Sequence, residues 1–189
     1  DRLSLTVVVP LYNKRETVRR AVQSVLSQLN DKDQIIVVDD GSTDGSADIV
    51  RGITDSRLFV ISQINQGVSA ARNRGLNAAR TEHVAFLDAD DWWLSGAIAE
   101  FKWMIRYCSN CVMYCIGHVR RAPDEDLGHF TESPLASCDI LEGPNFISLY
   151  SHKQLVNSSA SCVKKRLVQD LGGIPVGALT GEEIYLWLR

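Results

Sequence analysis

LTVVVP, residues 5–10, is an unbroken apolar, β-branched run that ends on a proline. A strand with one wet face alternates apolar and polar residues; one that does not is buried on both faces, as in a sheet covered by helices on either side. The flanking sequence agrees. Asn13 stands three positions before Glu16 in a capping-box arrangement, and Val18, Val22, Val25 and Leu29 then recur at helical spacing on one face. QIIVVDD (34–40) reads as a second buried strand, and GSTDGS (41–46) as a turn opening a helix through about Ile53. RLFVIS (57–62) is a third strand. GVSAARNRGLNAAR (67–80) is helical, with Ala71, Ala78 and Ala79 small enough for close packing. HVAFLD (83–88) is the fourth strand. This alternation predicts an α/β fold: a mostly parallel central sheet with right-handed crossovers, flanked by helices.

Beyond Trp93 the pattern continues less regularly. Ser95 starts a helix to about Tyr107, CVMYCIGHV (111–119) reads as a fifth strand, and residues 121–143 read as a long loop of the kind that selects substrates. SSASCVKK (158–165) is expected to be another strand, RLVQDLGG (166–173) a short helix with a glycine stop, and GEEIYLWLR (181–189) the opening of a last helix.

The totals narrow the class. A chain of 189 residues with 45% hydrophobic content can bury one good core, so one domain is expected over 1–189. A net charge of −3 lacks the basic excess of a general nucleic-acid binder. No run of about 18 apolar residues suggests a membrane span, and no basic start with an apolar core suggests a secretory leader. The chain opens on Asp1 and stops inside an amphipathic helix, so a segment of a longer protein, truncated at its C-terminus, is expected. Its five cysteines, an odd number, make a poor disulfide framework. Cys108, Cys111 and Cys115 lack a fourth ligand at zinc-site spacing, so they read as small core residues in a reducing compartment.

In open sheets of this kind ligands bind beyond the carboxyl ends of the strands. Polar residues gather there: Tyr12 and Asn13 after strand one, Asp39 and Asp40 after strand two, and Asp88, Asp90 and Asp91 after strand four. Three acids within four positions repel one another unless a cation or a set of donors meets them. On an extended segment Asp88 and Asp90 point the same way, and two hard oxygen donors suit Mg2+ or Mn2+ also held by substrate phosphates. Capping of the next helix accounts for Asp91 or Ser95, but not for all three acids. Asp39 is explained equally by turn chemistry. Arg72 and Arg74, two apart, do not share a helix face, which leaves two readings open: one meets a phosphate and the other solvent, or both are solvated. Trp92 and Trp93 line a sugar or acceptor cleft, or at least one of them anchors the following helix in the core.

Taken in order, VVVPLYN, VVDDGSTDGS, NQGVSAARNRG, FLDADD and GEEIYLWLR resemble the family 2 glycosyltransferases of GT-A type, from Leu5 to Arg189. The resemblance implies a Rossmann-like sheet with a nucleotide-sugar-binding half (1–93) and an acceptor-side half (94–189). It implies an inverting enzyme that moves a sugar from a nucleotide-diphosphate sugar, by family habit a UDP-sugar, to a hydroxyl of a saccharide or lipid-linked acceptor. Pro10 and Tyr12 then border the nucleobase, Asp40 reads it with Asp39 beside it, and Arg72 lies near base and diphosphate. Asp88 contacts the ribose, Asp90 holds Mn2+ or Mg2+, and Asp91 assists. Where the family reads Glu-Asp, this chain reads Glu182-Glu183, so Glu183 falls to the role of catalytic base with Glu182 beside it. A cytoplasmic setting with peripheral membrane association is implied by lipid-linked acceptors.

Other readings fit less well. A dinucleotide oxidoreductase needs a glycine-rich turn after the first strand, and VPLYNKRET has none. A receiver-type signalling domain wants its acidic pair there, where Pro10, Leu11 and Tyr12 stand. A metal-dependent nucleotidyltransferase, and a degenerate transferase that only binds nucleotide or a partner, share the acid cluster; turnover of a sugar nucleotide separates them.

Overall fold

A computed structural model of the chain describes residues 3–117 and 157–177. Six strands form one sheet: β1 (Leu5–Leu11), β2 (Gln34–Asp39), β3 (Leu58–Ser62), β4 (His83–Phe86), β5 (Met113–Cys115) and β6 (Ser161–Lys164). Their order is β3-β2-β1-β4-β6-β5. β1 to β4 are parallel, and β6 runs antiparallel to both its neighbours. The predicted mostly parallel α/β architecture is what forms.

The helices are α1 (Val18–Leu26), α2 (Ser46–Arg51), α3 (Val68–Ala78), α4 (Ala97–Tyr107) and α5 (Lys165–Asp170). Strand alternation divides the core into two layers. Leu5, Val7, Val9, Leu11, Ile35, Val37 and Leu87 pack with Val18, Val22 and Val25 of α1 and Ile98, Phe101 and Ile105 of α4. On the other face Val8, Ile36, Val38, Val84 and Phe86 pack with Ala71 and Leu76 of α3 and Val168 of α5. Every residue of β1, β2 and β4 is buried, which is why these strands carry no polar alternation.

Several local expectations are corrected. β1 runs one residue past Pro10. The Asp40 N–H donates to Leu11 O and the Leu87 N–H to Val8 O, so even-numbered residues of β1 face β4. Pairing with β4 ends at Val8, so the N–H that Pro10 lacks falls where the two strands have separated and no ladder bond is lost. α1 starts at Val18 rather than near Asn13, because Asn13 takes a left-handed φ of 51° and accepts a hydrogen bond from Thr43 N–H at 2.8 Å instead of capping. Leu29 is buried but lies beyond the helix. Ala78 is exposed, and the close approach of α3 to β1 is made by Gly75, where an added Cβ would stand 2.3 Å from Val8 Cγ1. Residues 158–160 form a 3-10 turn and only Ser161–Lys164 is strand. Cys108 and Cys111 are joined as a disulfide at the end of α4, against the expectation of free core thiols. They are three residues apart with the chain reversing between them, which brings the two sulfurs together. Cys115 and Cys162 are free, as expected; burial pushes the Cys115 thiol up to about 12 and Cys162 also upward, so both stay protonated and unreactive.

The amino end of the sheet is closed by polar groups that satisfy one another. Asp33 accepts from Leu5 N–H and Asn30 N–H at 2.9 Å each and pairs with Lys102 at 2.6 Å. Thr81 donates its hydroxyl proton to His83 O, Thr6 donates to Thr81, and Gln34 donates to Thr6. The carboxyl end is open.

Candidate functional site

The order β2-β1-β4 places the reversal of strand order between β1 and β4, where consecutive crossovers leave on opposite faces and a crevice opens. A cleft of about 400 Å³ lies there, walled by the ends of β1 (Pro10 to Tyr12), β2 (Asp40) and β4 (Asp88 to Asp90) and by the start of α3 (Gly67, Val68, Ala71). The three strand ends singled out from the sequence thus converge as expected.

Two acid groups meet at this cleft with different partners. Asp40, 2% exposed, accepts from Gln63 Nε2 (2.8 Å), Gln66 N–H (2.9 Å) and Gly67 N–H (2.8 Å). Its carboxylate therefore fixes the loop leading into α3, and Gly67 supplies the φ of 89° that turns its N–H toward that carboxylate. A carboxylate has about four acceptor positions. Three are taken here, which leaves one for a donor in the cleft. Asp39 is turned elsewhere: it accepts from Ser42 N–H at 3.0 Å and lies 3.6 Å from Arg51, so its part is the turn after β2.

The acids after β4 are more open. Asp88 accepts from Arg72 at 2.7 Å, and its own N–H donates to Ser159 Oγ at 3.0 Å. Arg72 of α3 is 3% exposed and reaches Asp88 just after β4, whereas Arg74 faces solvent. Asp90 reaches over the cleft to Lys14, 2.6 Å away. Asp91 donates its N–H to Asp88 O in the turn that follows. Trp93 is a core anchor: it packs on Phe101, donates Nε1–H to Ser159 O at 2.6 Å and its backbone N–H to Ser24 Oγ. Trp92 lies under the Arg20 guanidinium, 3.9 Å from the ring centre.

The loop after β1 is pinned from across the molecule. Asn13 N–H donates to Ser42 Oγ, and Arg15 N–H donates to Asp44 at 2.9 Å. With residues 13 and 15 tied down, Tyr12 and Lys14 are presented at the mouth of the cleft, Tyr12 half exposed.

Pro10, Tyr12, Asp40, Asp88 and Asp90 therefore share one cleft, Arg72 joins it through Asp88, and Asp39 and Asp91 sit in the adjoining turns. Glu182 and Glu183, with the loop 121–143, lie outside the described residues. Reading the sequence did not single out Lys14, Arg20 or Ser159. Lys14 had a visible signal, a cation directly after Asn13 at the expected rim. Ser159 had none, because its role depends on a contact 71 residues away.

Among the described residues no cluster of three or more His, Cys, Asp or Glu is arranged to hold a metal by itself. What fits a divalent ion is Asp90: a hard oxygen donor, half exposed, whose partner is already a cation. Such a site takes its remaining ligands from substrate phosphates and water, the usual habit of Mg2+.

The profile of Glycosyl transferase family 2 matches residues 6–144. Among curated proteins, "Glycosyltransferase GlyA" of Streptococcus pneumoniae serotype 4 is 43% identical over 90 residues, 47% of this chain and 13% of that one. "UDP-Glc:alpha-D-GlcNAc-diphosphoundecaprenol beta-1,3-glucosyltransferase WfaP" of Escherichia coli is 38% identical over 96 residues, 50% of this chain and 38% of that one. The chain thus spans well under half the length of either relative. Among solved structures, S. aureus TarS 1–349 in complex with UDP-GlcNAc superposes with a TM-score of 0.77 at 21% identity, covering 97% of this chain and 52% of TarS. The mannosyltransferase PcManGT from Pyrobaculum calidifontis, in complex with GDP-Man and Mn2+, gives 0.64 at 23% identity, covering 90% and 47%. At these identities the likeness is one of fold, and the fold is GT-A.

Proposed function

The chain belongs to glycosyl transferase family 2, and from that premise we propose that it transfers a glycosyl group from a nucleotide-diphosphate sugar to a hydroxyl of a saccharide or lipid-linked acceptor, with inversion at the anomeric carbon. The observation that carries this reading is the convergence of Asp40, Asp88 and Asp90 on one cleft at the reversal of strand order, with Arg72 paired to Asp88 and Lys14 to Asp90.

The nucleoside occupies the side of the cleft near β1 and β2, with the base beside Pro10 and Tyr12. Asp40 offers its remaining acceptor position to a base N–H, and Asp88 to a ribose hydroxyl. Uracil carries such an N–H, and the UDP-Glc in the name of the WfaP relative supports a UDP-sugar as donor. Asp90, with Asp91 nearby, would hold Mn2+ or Mg2+. That ion supplies electrostatic stabilisation of the negative charge developing on the departing diphosphate.

The chain's own residues do the rest. Arg72 holds the Asp88 carboxylate at the cleft, and Ser159 fixes the backbone of Asp88 so that the carboxylate is placed before substrate arrives. Glu183 takes the proton of the acceptor hydroxyl, Glu182 standing beside it. The acceptor oxygen bonds to the anomeric carbon as the bond to the diphosphate oxygen breaks, and the nucleoside diphosphate leaves with the electron pair. General-base assistance of this kind contributes roughly 10²–10⁴-fold. Among the described residues no helix is long and apolar enough to cross a membrane. A lipid-linked acceptor would be met at a membrane surface, in the assembly of a cell-envelope polysaccharide.

The test is a panel of sugar nucleotides with Mn2+, read as nucleoside diphosphate release with and without acceptor. Turnover of at least one donor is expected. Manganese-linked nucleotide binding without turnover would make this a binding domain, and formation of nucleoside triphosphate and sugar 1-phosphate on addition of pyrophosphate would make it a nucleotidyltransferase. Glu183→Gln should retain nucleotide affinity and lose transfer; loss of binding would remove Glu183 from the role of base.

A further inference from the structure

The charged side chains around the cleft mostly have fixed duties. Arg72 holds Asp88, Arg15 holds the turn at Asp44, Arg51 lies against Asp39, and Arg20 covers Trp92. Lys14 differs. It crosses from the loop after β1 to the loop after β4, meeting Asp90 Oδ2 at 2.6 Å, with both side chains nearly half exposed. An ion pair this open adds little to stability, since water and salt screen it. What it does is place an ammonium in front of the oxygen assigned above to the divalent ion.

We propose that Lys14 is a positioning residue that occupies the cation site at Asp90 before substrate binds and passes to the donor's diphosphate when the divalent ion arrives. The inference rests on the glycosyltransferase reading of the cleft and deepens it: Lys14 makes the binding of ion and nucleotide interdependent.

Two cations cannot share one carboxylate oxygen without repulsion, and a divalent ion within about 4 Å of an ammonium feels it even in water. Lys14 must therefore yield. Its backbone stays, because its carbonyl accepts from both Thr17 N–H and Val18 N–H at the entry to α1. Only the side chain moves, on a flexible four-carbon stem with three donors. It already faces the same cleft as Asp88 and Asp90, so the anion that enters with the ion lies within that space. The ion alone must compete with Lys14, whereas the ion with a diphosphate gives Lys14 a new partner. Apparent ion affinity should then be low without nucleotide and high with it.

The experiment measures Mn2+ binding to the full-length chain by the paramagnetic signal of free Mn2+, and UDP and GDP binding by calorimetry at saturating Mn2+. Wild type is compared with Lys14→Met and Lys14→Arg. Lys14→Met should bind Mn2+ alone about 3- to 10-fold more tightly and the better of the two nucleotides roughly 10-fold more weakly. Lys14→Arg, which keeps the charge, should resemble wild type in both. A Lys14→Met protein with wild-type Mn2+ affinity, or with wild-type nucleotide affinity, overturns the inference while the functional reading stands. A wild-type protein that shows no manganese-linked binding of either nucleotide overturns the functional reading, and this inference with it.

Discussion

At the amino end of the sheet Asp33 is 3% exposed and holds Lys102, Leu5 and Asn30 in a closed set; at the carboxyl end Asp90 is half exposed and meets a single movable lysine. Both ends carry carboxylates and cations at strand termini. They differ in whether the partners are rigid and buried or exposed and exchangeable. A buried, saturated carboxylate has no capacity left for a ligand, and its removal strands the groups it held. An exposed carboxylate contributes little to stability and retains lone pairs for a substrate or an ion. Asp40 combines the two: it lies at the carboxyl end but is 2% exposed, with three protein donors on it and one acceptor position over.

The contrast is broken most directly at Asp33. Asp33→Ala leaves the Lys102 ammonium, 7% exposed, without its carboxylate, and should cost about 3–5 kcal/mol. At roughly 2–4 °C per kcal/mol for a chain of this size, the melting temperature should fall about 6–20 °C. Differential scanning calorimetry measures it, and nucleotide affinity below the transition should match wild type. An unchanged melting temperature would mean that the amino end is not the structural one.

Asp90→Ala should do the reverse. Manganese-dependent nucleotide binding should weaken about 100-fold or more, roughly 2.7 kcal/mol, with stability within about 0.5 kcal/mol of wild type. Calorimetric titration with and without Mn2+ reads the first and thermal melting the second. A large loss of stability with intact binding would make Asp90 a structural acid.

Asp40→Asn sharpens the comparison. The amide oxygen can still accept from Gln63 and Gln66, but its NH2 would then face the Gly67 N–H, donor against donor. The expected cost is about 1–3 kcal/mol, with a weaker nucleotide complex as well. Asp40 alone of the three should move both readouts; a change in only one would assign it wholly to one end's behaviour.

How far these roles were legible in the sequence follows from the range of the interactions. β1, β2 and β4 were read correctly because burial on both faces leaves an unbroken apolar signature in the strand itself. The convergence of Tyr12, Asp40, Asp88 and Asp90 followed from topology alone, since parallel strands put all their carboxyl ends on one side. What escaped reading depends on partners far along the chain. Asn13 resembles a helix cap and instead meets Thr43, Ser159 resembles a strand residue and instead receives the Asp88 N–H, and Lys14 finds Asp90 76 residues away. Asp39 and Asp40 are adjacent and identical in type, yet one serves a turn and the other a loop and the cleft; only burial and donor count separate them.

The smallest effect concerns a group at the amino end that lacks the closed partnership of its neighbours. His83 is buried edge-on to Tyr114, and neither ring nitrogen has a hydrogen-bond partner among the described residues. Burial lowers its pKa; Glu82 opposes that shift and Lys164 adds to it. With its folded pKa below the unfolded value of 6.5, the unfolded chain takes up the proton first. The stability that neutral His83 permits is therefore present above pH 6.5 and declines as pH falls from there toward the folded pKa. His83→Phe keeps an aromatic ring beside Tyr114 and removes the titration. Its melting temperature between pH 7.5 and pH 5 should decline less steeply than that of wild type, while Asp90→Ala should keep the wild-type slope. Equal slopes in His83→Phe and wild type would mean that the ring is protonated in the fold without penalty, and that the amino end is less dry than its buried polar network indicates.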